Sequence, residues 1–369
     1  MGSDVAEGLV VVTVVTRSHV GDARALASML RRWNPGTVCR ALVVDAGVEE
    51  RRGLRGVEGL EWVGLEELGL EESRSFCFQY TAFELCNALK PHLMRWARAR
   101  TGGGPVLYLD SDIGVFGALD GWLAGWRGAD VLLTPHVTVD YPADGCIPKR
   151  WILGFVGVYN AGVVGVGTGR ESDRFLDWWA GETRHEALDA PSNGMFVDQK
   201  VLDFVPSLFA GTTICRHPGV NLGHFNLHAR RLERRGDQWW VDGERLLLGH
   251  FTGVDPDRLE FKPPLDRPLI RQQPLVKDWL GEYVEEWRRN GAPEERRAAY
   301  GLGSMADGLA ILPETRRAFR EAWMAGRPSA DPYADPVWMG WNRRRRRLTR
   351  IRSVWNRWVN RWRNALTWR

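Results

Sequence analysis

Asp110 and Asp112 stand one residue apart at the end of an apolar run, Val106 to Leu109, in the stretch GGGPVLYLDSDIGVFG (102–117). Two carboxylates that close repel each other, and one is driven to hold its proton unless a cation lies between them. Oxygen ligands suit Mg²⁺ or Mn²⁺, and such ions commonly bridge to a diphosphate. In an extended chain, residues i and i+2 point the same way, so the two carboxylates can reach a common point. A solvated turn is the competing reading of so short a motif. The buried strand before it brings the cation site level with that reading.

Those carboxylates need elements to hold them. The run Leu9 to Thr16 reads as a buried strand, 22–33 as a helix, 38–47 as a strand and 60–68 as a weaker strand. Residues 76–104 carry a long helical pattern, with Pro91 marking a kink or a junction and a glycine run as its stop. Strand and helix alternate in units typical of βαβ crossovers, which predicts an α/β fold with a mostly parallel sheet flanked by helices. Further on, 129–137 and 155–167 read as strands, and 174–188 and 197–209 as helices. Asp242-Gly243 marks a hairpin within 239–253. The pattern divides the chain into a first domain (1–256), a helical extension (257–336) and a basic tail (337–369).

Composition narrows the classes. A chain of 369 residues with 44% hydrophobic content can form one large domain or a domain with an appendage. No apolar run reaches the roughly 18 residues of a membrane span. The run at Leu9 follows Asp4 and Glu7 and lacks a small-residue cleavage site, so it reads as a strand and not a signal peptide. Five cysteines at 39, 77, 86, 146 and 215 form no CxxC pair. Neither a disulfide framework nor a zinc knuckle is expected, and a reducing cytoplasm is the expected compartment. The net charge of +4 hides an asymmetry. Eleven arginines lie from Arg343 to the end with no acidic residue after Asp335, leaving 39 basic against 46 acidic residues elsewhere.

Four segments in order, LKPHLMRW…VLYLDSDIGVFG, VYNAGVVGVG, FVDQKVLDFVP and GHFTG, resemble the family 8 glycosyltransferases and a related bacterial branch of the GT-A fold, from about residue 9 to 256. The resemblance implies a Rossmann-like sheet and a divalent ion, Mn²⁺ or Mg²⁺, held by Asp110, Asp112 and His250. A neutral imidazole is a suitable third ligand for Mn²⁺. The resemblance further implies that Asn160, Ala161 and Gly162 contact the donor sugar and that Asp198 binds its hydroxyls. It places the Gln199 carbonyl near the anomeric carbon. Lys90 would contact the nucleotide, and Thr16 and Arg17 would lie by base and ribose. Gly253 belongs to the H-F-x-G motif, and Asn226 and His228 are further pocket candidates. Family 8 commonly carries H-x-G-x-x-K-P-W, with a lysine for the diphosphate. Here Asp255 follows instead, and Arg258 and Lys262 are the nearby basic residues that could serve. An acidic residue usual after the first strand is Arg17 here.

The tail has apolar residues at 348, 351, 354, 355, 358, 359, 362, 365 and 366, at helical spacing, against arginine and asparagine. A basic amphipathic helix with tryptophans suits an anionic membrane surface, with docking on the acidic body or on a partner as the alternative. Nucleic acid is not expected, because no RNA-reading motif accompanies the arginines. The expected function is a metal-dependent, retaining transfer of a hexose from a nucleoside-diphosphate sugar, with UDP as carrier, to a surface-glycan or lipid-linked acceptor at the inner face of the cell membrane. A nucleotidyltransferase or phosphatase using the same aspartates is one alternative. A catalytically inactive membrane-bound nucleotide-sugar-binding scaffold is another.

Overall fold

The computed structural model describes residues 8–142, 149–263 and 268–348. They form two compact units: Gly69 and everything before it together with Glu84–Tyr300, and Leu70–Phe83 together with the chain from Gly301 onward. The boundary read from the sequence at 256 falls inside the first of these.

The first unit is built on a seven-stranded sheet. Its strands are β1 (Val10–Val15), β2 (Val38–Val43), β3 (Leu60–Gly64), β4 (Val106–Leu109), β6 (Val131–Pro135), β7 (Tyr159–Val166) and β8 (Thr212–Ile214), in the order β8-β6-β7-β4-β1-β2-β3. Every pairing is parallel except those of β7, which runs antiparallel to both neighbours. β1 and β4 are buried along their whole length, which is why they read as near-continuous apolar runs rather than alternating ones. The expected α/β architecture, a mostly parallel sheet flanked by helices, is present.

Outside the sheet, β5 (Ile113–Val115) pairs with a later strand, and β9 (Leu232–Arg235), β10 (Gln238–Val241) and β11 (Glu244–Arg245) form a small antiparallel sheet. Asp242 and Gly243 both take positive φ, the conformation a two-residue hairpin requires. β12 (Leu248–His250) is the partner of β5.

Among the helices, α1 (Val20–Trp33) follows β1, and α2 (Lys90–Arg100) precedes β4. The long pattern at 76–104 resolves into Ser73–Phe78, Ala82–Ala88 and α2, with Pro91 in the first turn of α2, where a missing N–H costs nothing. Two expectations fail. Residues 155–167 are not one strand: α3 (Lys149–Val156) ends at Gly157, whose φ of +111° breaks the helix before β7 begins. Nor is 197–209 one helix. It is a 3₁₀ segment, Lys200–Phe204, and a single turn, Val205–Leu208, with Pro206 in its first turn.

α4 (Ser172–Glu186) follows β7, and α5 (Val276–Arg289) closes the core. α5 buries Val276, Trp279, Leu280, Tyr283 and Val284, one helical face. Tyr283 stacks on Phe251 at 3.8 Å, just past β12, so this late helix braces the strand that carries His250. α6 (Ala292–Glu295) then packs against the start of α1: a Cβ at Gly21 would lie 2.4 Å from the Ala292 Cα.

In the second unit, α7 (Pro313–Met324) supplies Phe319, which meets Phe78 at 4.9 Å and Trp338 at 5.3 Å between ring centres. Buried Asn342 accepts a hydrogen bond from the Thr315 hydroxyl at 2.9 Å. Residues 336–348 are helical. Most of the tail, 349–369, lies outside the described residues, as does Cys146.

Candidate metal and donor site

Asp110 leaves the carboxyl end of β4, where ligands gather in α/β sheets. Its N–H is fixed to the Gly162 carbonyl of β7 at 2.9 Å. The chain does not continue extended, as side-chain alternation had suggested. It turns at Ser111, and the Ile113 N–H returns to the Asp110 carbonyl at 3.0 Å. That turn brings the two carboxylates together. β5 then pairs with β12 so that His250 lies opposite Ile113, and the Phe251 N–H bonds the Asp112 carbonyl at 3.0 Å. One ligand atom from each of Asp110, Asp112 and His250 lies within 4.8 Å of the others.

His250 Nε2 is 3.3 Å from Asp112 and 4.0 Å from Asp110, while Nδ1 is 3.0 Å from the Asn221 side-chain oxygen. Burial would raise the Asp112 carboxyl, but the His250 imidazole beside it holds it below the usual range. Burial works the other way on His250, and the Asp112 carboxylate outweighs it and raises the imidazole. Two carboxylates and one imidazole nitrogen facing a common point fit Mn²⁺ or Mg²⁺. Gly162 makes room for this: a Cβ there would lie 2.5 Å from the His250 Cε1 and 2.8 Å from an Asp110 oxygen.

Behind the triad stands a second charged layer. Lys90, 2% exposed, reaches Asp110 at 3.1 Å, Asp198 at 3.4 Å and the Ala161 carbonyl at 3.2 Å, and lies over the Tyr108 ring. Tyr108 donates its hydroxyl to Asp110 at 2.9 Å. Lys90 therefore acts as an internal counter-ion. Asp198 is wholly buried, neither of its oxygens makes a formed hydrogen bond, and burial pushes it up to about 7 despite Lys90. The Trp179 indole N–H holds its backbone carbonyl at 3.0 Å. Gln199 donates to the Val156 carbonyl at 2.8 Å, and its side-chain oxygen accepts from the Ala161 N–H at 3.0 Å. Asn160 accepts from the Gly162 N–H at 3.0 Å and donates to His136 at 3.2 Å. Burial drives His136 down to about 4, so this imidazole is neutral at pH 7.

At the end of β1, Thr16 bonds the Ser18 hydroxyl and His19 at 2.9 and 3.0 Å. The Arg17 N–H donates to Asp45, and its guanidinium reaches Glu50 and the Ala299 carbonyl. What meets this end of β1 comes from far along the chain. Arg296 follows α6 and reaches both His19 and Asp22 at 2.6 Å. Asp22 also accepts from the Trp287 indole at 3.0 Å, and burial pushes it up to about 6. The Asp112 carboxylate and the Arg296 guanidinium feel each other electrostatically.

The remaining candidates have other neighbours. Asn226 braces its loop, donating to the Asn221 and His136 carbonyls. His228 stacks on Tyr141 at 4.6 Å. Gly253 takes φ +74° and accepts from the Lys262 N–H at 2.8 Å. Arg258 turns outward to Glu260 at 2.8 Å. Asn221, His136, His19, Asp22 and Arg296 were missed by the sequence reading. None lies in a recognisable motif, and only proximity to Thr16 hinted at His19.

No protein-family model matches the chain. The uncharacterized protein YfnF of Bacillus subtilis (strain 168) is 32% identical over 99 residues, which is 27% of this chain and 33% of that protein. The match thus spans about a third of that relative's length. A galactosyltransferase, LgtC, solved with donor and acceptor sugar analogues, aligns over 76% of this chain and 99% of its own at 17% identity and a TM-score of 0.38. The glycosyltransferase GlyE of Streptococcus pneumoniae TIGR4 aligns over 78% of this chain and 63% of its own at 15% identity and a TM-score of 0.43.

Proposed function

We propose that the protein is a GT-A-type glycosyltransferase that moves a hexose, with retention, from a nucleoside-diphosphate sugar to a surface-glycan or lipid-linked acceptor. UDP is the proposed carrier. The observation that carries the reading is the convergence of Asp110, Asp112 and His250 in front of a buried Asp198 that is ion-paired to Lys90. When bound there, a divalent ion supplies charge neutralisation to a departing diphosphate. The chain's own residues do the rest. Lys90 balances Asp110 and Asp198 from behind, which lets carboxylates accumulate where a sugar must be held. Asp198 is the group proposed to accept the donor's hydroxyls, since a buried carboxylate held only by the long Lys90 contact gains from a polar ligand. Gln199 and Asn160 are locked by backbone partners, so they present a fixed surface to the sugar. Thr16 and Arg17 are proposed to line the nucleoside end, and Arg296 to offer the diphosphate the positive charge that Asp255 cannot.

No helix among the described residues is long and apolar enough to cross a membrane. Residues 343–369 are proposed to hold the protein on an anionic, cytoplasmic membrane face; deleting them should abolish liposome binding and spare donor hydrolysis. The central test is incubation with Mn²⁺ and a panel of nucleotide sugars, reading slow donor hydrolysis and thermal shift. The expected result is a UDP-dependent shift that disappears in Asp110→Ala. A chain that responds to no nucleotide sugar overturns the proposal.

A further inference from the structure

Asn221 sits 1% exposed in the chain segment that runs beside β12. The Leu222 N–H bonds the Leu248 carbonyl at 3.0 Å, and the His250 N–H bonds the Leu222 carbonyl at 2.7 Å. Backbone pairing thus fixes Asn221 next to His250. Its side chain touches three groups: His250 Nδ1 at 3.0 Å, the Thr134 hydroxyl at 2.9 Å and the Asn160 side-chain oxygen at 3.1 Å.

The polarity of this network is dictated from its edges. Atoms of an asparagine amide or an imidazole look alike, and their roles must be worked out from partners that admit only one role. The Gly162 N–H can only donate, so the Asn160 atom it meets is the oxygen. The Asn221 atom facing that oxygen must then be the NH₂ group. The Thr134 hydroxyl agrees, because it spends its proton on the Val163 carbonyl at 3.0 Å and is left to accept from the same NH₂. From the opposite edge, the Val158 carbonyl can only accept, so His136 is protonated at Nδ1 and its Nε2 accepts from the Asn160 NH₂. Both routes leave Asn221 presenting its carbonyl oxygen to His250.

We infer that Asn221 is a positioning residue that keeps the proton of neutral His250 on Nδ1, so that the Nε2 lone pair faces Asp110 and Asp112 and is free for a divalent cation. This rests on reading those three residues as a cation site. A hydrogen bond to the far nitrogen of an imidazole ligand fixes both its tautomer and its ring orientation. The backbone at Asn221 has φ +56°, which glycine and aspartate also tolerate. Asn221→Gly therefore removes the acceptor without forcing the backbone.

The test uses the full chain. Long-range ¹H–¹⁵N spectra of the metal-free protein, at a pH that leaves the ring neutral, read the His250 tautomer, assigned by the signal lost in His250→Gln. Mn²⁺ affinity is read separately from the free-ion EPR signal. The parent should carry the proton on Nδ1, whereas Asn221→Gly should lose the single tautomer and bind Mn²⁺ about 10–100-fold more weakly than the parent. An Nε2-protonated ring in the parent overturns the inference, as does a glycine variant that keeps both tautomer and affinity. A parent that takes up no Mn²⁺ sinks the cation reading, and the tautomer in parent and glycine variant still decides the role of Asn221.

Discussion

The two charged clusters of the first unit are assembled in opposite ways. Asp110, Asp112 and His250 are placed by backbone: the turn after β4, the β5–β12 pairing and the bond from Asp110 to Gly162. His19, Asp22 and Arg296 meet through side chains alone, across 274 residues in the Asp22–Arg296 case. A cluster set by backbone is rigid and sensitive to each member. One set by long side chains tolerates adjustment and is better suited to follow a ligand than to define a reaction centre. That contrast predicts a steep gradient of mutational effect between them.

The largest effect belongs to the first cluster. Asp112→Ala should lower donor hydrolysis by roughly a thousandfold, because it removes a proposed ligand that stands beside the His250 Nε2. Single-turnover rates with nucleotide sugar and Mn²⁺ check it. A loss below tenfold would erase the distinction between the clusters.

Each cluster also depends on one glycine, which permits a matched comparison. Gly162→Ala drives a Cβ into His250, Asn160 and Asp110, while Gly21→Ala drives one into the backbone of Ala292. Overpacking of this kind costs about 1–3 kcal/mol at either place. Both variants should melt lower by a similar amount. Only Gly162→Ala should also weaken Mn²⁺ binding, by about tenfold or more. Equal Mn²⁺ affinities in the two variants would mean that the triad adjusts as freely as the second cluster.

The same contrast explains what could be read from the sequence. Asp110, Asp112, Asn160, Gly162, Asp198, Gln199 and His250 lie at strand ends or in short motifs, and a strand end declares itself by its apolar run. Their mutual proximity is legible only through the order of those motifs and the family resemblance they carry. The route was not: side-chain alternation implied an extended D-x-D, whereas a turn joins the two aspartates. For Lys90 the sequence leaves its burial open, and the structure shows it buried and paired with Asp110 and Asp198. Arg296 and Asn221 were invisible, since one arginine among many and one asparagine in a loop carry no periodic signal. The segment 155–167 misled because FVGV looks apolar in helix and strand alike, and Gly157 decides between them through its backbone angle.

Arg296 gives a smaller effect than either glycine. If it offers charge to a diphosphate, Arg296→Ala should raise KM for the donor about tenfold with kcat changed far less, the signature of lost ground-state binding. Arg296→Lys should recover part of that, as a point charge without the forked contact to His19 and Asp22. Steady-state kinetics against donor concentration separate the two parameters. A fall in kcat at unchanged KM would move Arg296 into the reaction centre and dissolve the division of labour.

The smallest effect is one of slope. Burial lifts Asp22 from the ordinary 3.8 to about 6, against the opposing pull of Arg296 and Trp287. The folded chain therefore keeps a proton that the unfolded chain gives up. Between about pH 4 and pH 6 the folded state binds more protons than the unfolded one, so stability falls as pH rises through that window. Asp22→Asn retains an acceptor for the Trp287 indole and removes the titration. Its melting temperature should fall less, or rise more, with pH than the parent's across the window, the two differing by about 2–4 °C in the change from one end to the other. Differential scanning calorimetry at closely spaced pH values reads this directly. Parallel curves would show that Asp22 is already ionised throughout, held by Arg296 as firmly as Asp112 is held by His250. The second cluster would then be as fixed as the first.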